Sequence, residues 1–146
     1  MNKYSQNSVY KLAHVHPVLV ALFTAILSRD DHSIVCGHRD QKEQDKFFEL
    51  GRSQVKFPHS KHNKYPSLAV DVAPYIADTA SQHVSECAVF GTKVMFMANE
   101  MGIPIRWGGD WDGDKNIHEH KLQDFQHFEL DVEKYRQTPW FQMYGL

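Results

Sequence analysis

Two short segments with alternating residues limit the folds open to this chain. Residues 68–72 read Leu-Ala-Val-Asp-Val, and residues 127–130 read His-Phe-Glu-Leu. Successive side chains of a β-strand point to opposite faces, so the larger apolar residues of each segment share one face. The other face carries Asp71 in the first segment and both His127 and Glu129 in the second. We therefore expect a sheet with a core on one face and acidic and imidazole groups on the other.

Helical patterns lie around these strands. Pro17 suits the first position of a helix, where its missing N–H costs nothing, and apolar residues recur at helical spacing after it. Residues 41–50 and 81–101 read as two more helices. Each is followed by a glycine, Gly51 or Gly102, of the kind that ends helices in a left-handed conformation.

Weaker patterns complete the expected fold. They predict a short turn capped by Ser8, a strand over 33–36 and an edge strand over 103–107. Pro74 is expected to end the strand over 68–72, because proline cannot donate to a strand ladder. The apolar side of the second helix is expected to consist of Phe47, Phe48 and Leu50. Helices and short strands mix without strict alternation, which favours an α+β fold with a small, mainly antiparallel sheet and flanking helices.

Length and charge exclude several classes of protein. A chain of 146 residues is expected to form one domain with its own core. A formal charge of −2 and mixed charges along the chain leave no basic footprint for nucleic acid. The two cysteines, Cys36 and Cys87, are expected to be free thiols. The sequence shows no signal peptide and no apolar run long enough to cross a bilayer, so no stable membrane insertion is expected.

Three residues of metal-binding type stand on or beside the two alternating segments. His62 precedes the first segment in a loop, Asp71 lies within it, and His127 lies in the second. Two imidazoles and one carboxylate are the ligands of a catalytic zinc site that keeps a position open for water. Asp124 precedes His127 by three residues and could act as general base and then general acid in peptide hydrolysis. Glu129 could hold a ligand imidazole in place.

Simpler interpretations of the same residues remain open. The chain has ten histidines, and a single histidine is more often a surface or capping residue than a ligand. Asp71 also reads as an ordinary strand acid and His127 as a half-buried strand histidine. The run His118-Glu119-His120 is of metal-binding type as well, although its polar loop favours solvation. Spacing alone does not choose between these interpretations.

Several motifs, taken together and in order, resemble those of one peptidase group. Ser60-x-His62 is followed by Ala69-x-Asp71 and then by Asp124-x-x-His127-x-Glu129. The same pattern includes Gly37-x-Arg39 with Gln44, Gly51-Arg52-Ser53, and Arg106-Trp107-Gly108-Gly109-Asp110-Trp111. This order is similar to that of zinc peptidases of the D-Ala-D-Ala carboxypeptidase/VanY group. Within the group it most resembles phage endolysins that are L-alanyl-D-glutamate peptidases, and the likeness covers roughly Ser8 to Leu130.

The resemblance implies a role for each matching residue. The zinc ligands of the family are matched by His62, Asp71 and His127, which makes one zinc ion the expected cofactor. Asp124 matches the catalytic acid and base. Arg39 matches an arginine that binds the substrate or polarises its carbonyl, and Ser60 matches a serine at the same cleft. The implied fold is the small α+β domain that these peptidases share with the hedgehog signalling domain.

One segment departs from the family pattern Ser-x-His-x-x-Gly-x-Ala-x-Asp. Two extra residues separate His62 from Asp71, and Ser67 stands where the glycine is expected. The extra residues fall within 63–66, where a loop can absorb them without moving either ligand. We therefore keep both ligands in the expected site.

The resemblance implies a phage-type endolysin. Its expected activity is zinc-dependent hydrolysis of the peptidoglycan stem peptide, most specifically at the L-Ala–D-Glu bond, which leads to lysis of the host cell. A D-Ala-releasing carboxypeptidase and a non-catalytic, zinc-containing module that binds the wall are the alternatives. Residues 1–146 are expected to be a monomeric catalytic domain without a separate wall-binding domain. The protein is expected to stay in the host cytoplasm until a membrane lesion admits it to the wall.

Two further segments carry weaker signals. The acidic loop over 110–114 hints at calcium, but it lacks the full pattern of a calcium-binding loop and is expected to be solvated. The tail, Asp131 to Leu146, contains Trp140, Phe141 and Tyr144. These aromatic residues are expected to pack onto the core rather than to engage the wall.

Overall fold

An antiparallel sheet forms the centre of the structure. The computed structural model describes residues 1–76, 79–80, 83–116 and 124–146. Its strands span His32–Cys36 (β1), Ala69–Ile76 (β2), Thr79–Ala80 (β3), Ile105–Trp107 (β4) and His127–Leu130 (β5). The longer strands follow the order β1-β2-β5-β4, and β3 pairs with the end of β2. The predicted small antiparallel sheet, with β4 at its edge, is confirmed.

Helices flank the sheet, and local sequence sets where several of them begin and end. They span Gln6–Leu12 (α1), Pro17–Leu27 (α2), Gln41–Glu49 (α3), Val84–Met101 (α4), Val132–Tyr135 (α5) and Pro139–Tyr144 (α6). Pro17 opens α2 as predicted, and α4 ends at Gly102, whose φ of 66° is left-handed. In the part of the chain that the structure describes, no helix is both long enough and apolar enough to cross a bilayer.

The apolar core lies between one face of the sheet and helices α2 and α4. Val70, Val72, Phe128 and Leu130 are fully buried there, as the alternation predicted. The Phe128 ring stacks on Trp107 at a centroid distance of 6.2 Å and meets the edge of other aromatic rings. Full burial of such a side chain stabilises the fold by roughly 1.5–3 kcal/mol, so the sheet has a strongly preferred inner face.

Two predictions about helix surfaces were wrong. Ser5, rather than Ser8, caps α1 by accepting the Ser8 N–H at 3.2 Å, while the buried Ser8 hydroxyl accepts the N–H of Ile34 on β1 at 3.1 Å. On α3 the residue that is buried is Gln44, whereas Phe48 is 37% exposed. The physical reason is that α3 packs against polar loops rather than against the core.

Pro74 does not end its strand, because β2 continues to Ile76. Val72 donates its N–H to Gln126 on the β5 side, so two residues later the nitrogen of Pro74 points to the same side. Pro74 is paired with His32 of β1, whereas β5 pairs only with residues 69–71 of β2. The missing N–H of Pro74 therefore falls where β5 has no residue opposite it.

Two of the three aromatic residues of the tail pack onto the core, as expected. Trp140 and Phe141 both lie against the core cluster. The Trp140 indole N–H donates to the Met101 carbonyl oxygen at the end of α4, at 2.8 Å. Tyr144 is partly exposed and stacks on Trp140 at 6.1 Å. These contacts tie the last helix to the rest of the fold.

Candidate metal centre

The register of the sheet brings two predicted ligands side by side. Asp71 on β2 is the direct partner of His127 on β5. Directly opposite residues in an antiparallel pair project to the same face. Their neighbours Val70 and Phe128 point into the core, so Asp71 and His127 project to the opposite side of the sheet. Glu129 follows His127 on this polar face.

His62 reaches the same place from a short 3-10 turn over Lys61–Asn63. The Ser60 hydroxyl caps this turn by accepting the His62 N–H at 3.2 Å, and the Asn63 side chain accepts the Ser60 N–H at 3.0 Å. The His62 ring is buried, and its Nδ1 lies 2.7 Å from the carbonyl oxygen of Gly37. Contacts to both backbone and ring therefore fix the position of this histidine.

Three ligand-type atoms meet in a triangle with nearly equal sides. His62 Nε2 lies 3.3 Å from Asp71 Oδ1 and 3.2 Å from His127 Nδ1. Asp71 Oδ1 and His127 Nδ1 lie 3.1 Å apart. Nitrogen and oxygen atoms that share one metal ion have separations of this size. These three residues could therefore hold a metal ion.

The second nitrogen of each imidazole faces a fixed acceptor. His62 Nδ1 faces the Gly37 carbonyl oxygen, and His127 Nε2 faces the Glu129 carboxylate at 3.0 Å. Because neither acceptor has a proton to give, those two nitrogens must carry the hydrogen. In the neutral rings, His62 Nε2 and His127 Nδ1 then each carry a lone pair that faces Asp71 Oδ1. Two lone pairs and a carboxylate oxygen at this range need a cation between them.

The charges of the triangle lead to the same conclusion. Burial alone would lower the pKa of His62, but the Asp71 carboxylate outweighs it and raises the pKa to about 10. Burial likewise opposes the charged form of His127, and hydrogen bonds to Asp71 and Glu129 raise its pKa to about 9. Burial would raise the pKa of Asp71, yet the neighbouring His62 holds it well below its usual range. The site draws in positive charge, either as protons or as a metal ion.

Asp124 faces the triangle from the turn that precedes β5. Its N–H donates to the Gly108 carbonyl at 2.8 Å, and its own carbonyl accepts the His127 N–H at 3.1 Å. A Cβ at position 108 would overlap the Asp124 backbone, so this approach requires glycine. A carboxylate oxygen of Asp124 comes within 4.8 Å of the ligand atoms of Asp71 and His127. Desolvation in the cleft and the negative charge of Asp71 raise the pKa of Asp124.

Arg39 is held beside Asp71 rather than free in the cleft. Its Nη1 donates to the buried Gln44 side chain at 2.9 Å, and its guanidinium lies 4.3 Å from the centre of the Phe47 ring. Its Nη2 is 3.6 Å from Asp71 Oδ2, the oxygen that does not face the two histidines. Arg39 therefore places a positive charge behind Asp71 and helps to orient this carboxylate.

The triangle opens into a cleft of about 340 Å³ that every predicted site residue lines, Ser60 included. Trp111 forms part of its wall, with its ring 5.6 Å from that of His127. Lys61 also lines the cleft. Neither Trp111 nor Lys61 had a role that the sequence predicted. The position of Lys61 directly before His62 was the available signal, since residues beside a ligand on a tight turn share its cleft.

Cys36 is a further side chain at the triangle that the sequence analysis missed. It is registered with Asp71 across β1 and β2. Its sulfur lies 3.9 Å from His62 Nδ1, and its thiol comes within 4.8 Å of the ligand atoms of His62 and Asp71. The β-bulge of β1 at this position is a feature of strand pairing, and local sequence gives no sign of it.

The sequence contains two other groups of residues of metal-binding type. The run His118-Glu119-His120 lies outside the described residues. Carboxylate oxygens of Asp110, Asp112 and Asp114 come within 4.8 Å of one another. Backbone N–H groups of the same loop donate to them, among them Lys115 to Asp110 at 2.9 Å. Asp112 and Asp114 are exposed, as expected for a solvated loop, whereas Asp110 is buried.

Comparison with solved structures identifies the class of protein to which this fold and cleft belong. The chain matches the crystal structure of the Serratia marcescens L-Ala D-Glu endopeptidase ChiX with a TM-score of 0.72 and 27% sequence identity. The match covers 99% of this chain and 96% of that chain. The match therefore includes both the sheet and the cleft. It shows that this protein is a peptidase with a mixed α and β fold.

A family model gives the more specific assignment. The model described as phage L-alanyl-D-glutamate peptidase matches residues 1–131. This chain belongs to that family, and the match includes all candidate site residues from Arg39 to Glu129. The family resemblance derived from the sequence motifs is thus confirmed. Comparison with curated protein sequences gives no significant match.

Proposed function

We propose that this protein is a zinc-dependent endopeptidase that cuts the L-Ala–D-Glu bond of peptidoglycan stem peptides. In this proposal His62, Asp71 and His127 bind one zinc ion. Asp124 is the general base and acid, Arg39 and Ser60 act on the substrate side of the cleft, and Glu129 orients His127. Peptidoglycan hydrolysis follows from the family to which the chain belongs, whereas the metal and the residue roles rest on the geometry of the cleft.

The observation that carries the proposal is the triangle of His62 Nε2, Asp71 Oδ1 and His127 Nδ1. Ligands at zinc distances of about 2.0–2.1 Å in a tetrahedron lie roughly 3.3 Å apart. The observed separations of 3.1 to 3.3 Å fit this value. Two imidazoles and a carboxylate also match the chemical preference of zinc, and three protein ligands leave a fourth position open.

The residues around the triangle support amide hydrolysis. A zinc ion bound there supplies Lewis acidity, which activates water and polarises a carbonyl group. Asp124, whose pKa is raised by desolvation and by Asp71, takes a proton from the attacking water and then gives it to the departing amine. Arg39 keeps Asp71 oriented and adds positive charge near the reacting carbonyl. Ser60 holds the His62 turn and lines the cleft.

The choice of bond rests on the comparisons. The family description and the printed name of the matched Serratia marcescens enzyme both specify L-Ala and D-Glu. Neither comparison names D-Ala release, so the endopeptidase is favoured over the carboxypeptidase.

The site of action follows from the substrate. A peptidase of this kind acts on the wall, and we propose that the chain works there as a monomer after a membrane lesion admits it. Cell lysis is the expected consequence, because the stem peptides carry the cross-links of the wall.

The test is mass spectrometry of fragments released from purified peptidoglycan, with and without a zinc chelator. We expect fragments with a new N-terminal D-Glu, which disappear on chelation and return when zinc is added. Release of D-Ala instead would make the protein a carboxypeptidase. A folded, zinc-loaded protein without any product would refute the proposed function.

The role of Asp124 has a separate test. Asp124→Asn should lower kcat at least about a hundredfold, because the amide cannot accept the proton, while zinc content and thermal stability stay unchanged. Asp45→Asn, on the exposed side of α3, is the matched control and should keep full activity. Turnover by Asp124→Asn at the wild-type rate would remove Asp124 from the proposed mechanism.

A further inference from the structure

Lys61 stands where the cleft meets a second hollow. This hollow has a volume of about 380 Å³ and is lined by residues from β4, β5 and α5, among them Arg106 and Arg136. Lys61 and Glu129 line both the cleft and the hollow. A side chain at this boundary can contact a substrate group that extends from the metal centre into the hollow.

The backbone of Lys61 is held firmly. Lys61 opens the 3-10 turn that Ser60 caps, and its carbonyl oxygen accepts the N–H of Leu68 at 3.1 Å. The next residue is the candidate ligand His62. The Lys61 side chain is half-buried and lines both the cleft and the hollow. The turn therefore holds the backbone of Lys61 directly beside the candidate ligand, at the boundary of the cleft and the hollow.

Two other cationic side chains near the triangle, Arg39 and Arg106, are already engaged, and Arg52 is a further cation that lines the cleft. Arg39 is bound to Gln44 and lies beside Asp71. Arg106 lies 3.8 Å from the Glu129 carboxylate and over the Trp111 ring. Lys61, by contrast, forms no ion pair within 4.0 Å in the described part of the chain. At longer range its charge helps to lower the pKa of Glu129, and with no close ion pair its ammonium group can bind a group of the substrate.

The proposed substrate brings a negative charge to this part of the cleft. When the L-Ala–D-Glu bond is cut, glutamate is the residue on the leaving side. A glutamate residue has two carboxyl groups, and the peptide continues through one of them, so the other remains a carboxylate near the scissile amide. Asp71, Asp124 and Glu129 already line the cleft. A carboxylate placed among them needs a cationic partner, because an unpaired charge in a desolvated site is strongly unfavourable.

We propose that Lys61 binds the free carboxylate of the leaving-side glutamate and so selects glutamate over glutamine at this position. The inference rests on the proposed function and adds the residue that determines specificity. An ammonium-to-carboxylate hydrogen bond is charge-assisted and stronger than a neutral one. Amidation of the carboxylate keeps its shape but removes its charge, so it separates recognition of charge from recognition of shape.

The test compares two synthetic stem peptides that differ only in this group, a free carboxylate in one and a carboxamide in the other. The zinc-loaded wild-type protein should cut the carboxylate peptide with the higher kcat/KM. Lys61→Met should lower kcat/KM for that peptide about ten- to a hundredfold and leave the carboxamide peptide nearly unchanged. The loss should appear mainly in KM, because the contact exists before and during the reaction.

Two variants serve as controls. Lys61→Arg retains the charge and should keep most of the preference for the carboxylate. Lys64→Met removes an exposed lysine from the same loop, outside the cleft, and should behave as the wild type. Zinc content and thermal unfolding of each variant, measured in parallel, would reveal a purely structural role of Lys61.

Several outcomes would overturn the inference. Wild-type protein that cuts both peptides equally would refute it while leaving the proposed function intact. Lys61→Met that keeps the full preference would also refute it. Loss of the preference in Arg52→Met alone would assign the carboxylate to this other cleft residue. Wild-type protein that cuts neither peptide would refute the proposed function and this inference together.

Discussion

At the scale of single residues, Glu129 contacts the His127 ring, the third ligand of the proposed metal centre. Its carboxylate lies between His127 Nε2, at 3.0 Å, and Arg106 Nη1, at 3.8 Å. Burial would raise the pKa of Glu129, but the hydrogen bond from His127 outweighs it and the pKa is lowered. Glu129 therefore stays ionised and directs the free lone pair of His127 towards the other ligands.

Removal of this carboxylate should weaken metal binding. We expect Glu129→Ala to raise the Kd for zinc about ten- to a hundredfold, because the His127 ring loses the acceptor that fixes its tautomer. Glu129→Gln should have a smaller effect, since the amide oxygen can still accept the hydrogen bond. Competition with a chromogenic chelator measures both. Glu133→Ala, an exposed acid on α5, is the control, and equal zinc affinity in all variants would contradict this role.

At the scale of secondary-structure elements, the contact between α4 and β4 supports one wall of the site. Gly91 on α4 lies against the Trp107 ring, where a Cβ would overlap the indole. Trp107 donates its indole N–H to the Phe125 carbonyl oxygen at 3.0 Å. Phe125 follows Asp124 directly, so the packing of α4 reaches the turn that carries the proposed general base through a single side chain.

A methyl group at this contact should destabilise the fold. Gly91→Ala is expected to lower the free energy of unfolding by about 1–3 kcal/mol, because helix and strand must move apart to admit it. The gain in helix propensity from alanine, about 1 kcal/mol, offsets part of this cost. Denaturant unfolding gives the difference, with Thr92→Ala on the exposed side of α4 as the control. Stability at or above that of the wild type would show that the contact is loose.

At the scale of the whole molecule, the candidate ligands come from three separate segments. His62 lies on the 3-10 turn, Asp71 on β2 and His127 on β5. The unfolded chain does not hold these residues together, so a metal ion at the proposed site would bind the folded state selectively. Its binding energy would then add to the stability of the entire fold.

Zinc should therefore raise the thermal stability of the protein. At free zinc a hundredfold above its Kd, the fold should gain about 2.7 kcal/mol, which raises Tm by several degrees. A chelator should reverse the shift. Calorimetry of Asp71→Ala should show no zinc-dependent change, whereas His83→Ala, which removes an exposed histidine, should respond as the wild type. An equal shift in Asp71→Ala would place the metal elsewhere.

Acid should destabilise the fold through a histidine outside the proposed metal centre. The His32 ring is buried, and its Nε2 accepts a hydrogen bond from the Tyr4 hydroxyl at 2.7 Å. Its Nδ1 lies 2.8 Å from the Asp30 carbonyl oxygen. Burial lowers its pKa, although the Asp30 carbonyl and the charges of Asp30 and Asp31 oppose this effect. Below pH 6.5, His32 binds a proton in the unfolded chain but stays neutral in the folded protein. The free energy of unfolding therefore falls as the pH decreases.

The contribution of His32 is at most about 1.4 kcal/mol per pH unit, and it ends at the folded-state pKa. An NMR titration of the zinc-loaded protein should place the pKa of His32 below 6.5. Denaturant unfolding at a series of pH values should show the matching loss of stability. A His32 resonance that titrates at or above 6.5 would contradict the prediction.

The sequence by itself determined the features that depend on near neighbours. Alternation assigned Phe128 to the core and Glu129 to the polar face, because strand geometry repeats every second residue. Pro17 and Gly102 marked helix ends, because their backbone preferences are local. The motifs, taken in their order, indicated the family by resemblance, and the family implies the fold class.

Tertiary structure decided what depends on distance across the fold. The pairing of Asp71 with His127, the Gly37 carbonyl that fixes the His62 tautomer, and the continuation of β2 through Pro74 all join residues far apart in the chain. The same holds for Lys61, whose place between two hollows appears only after β5 has packed beside its turn. Such contacts are set by strand register and packing, which local propensities do not contain.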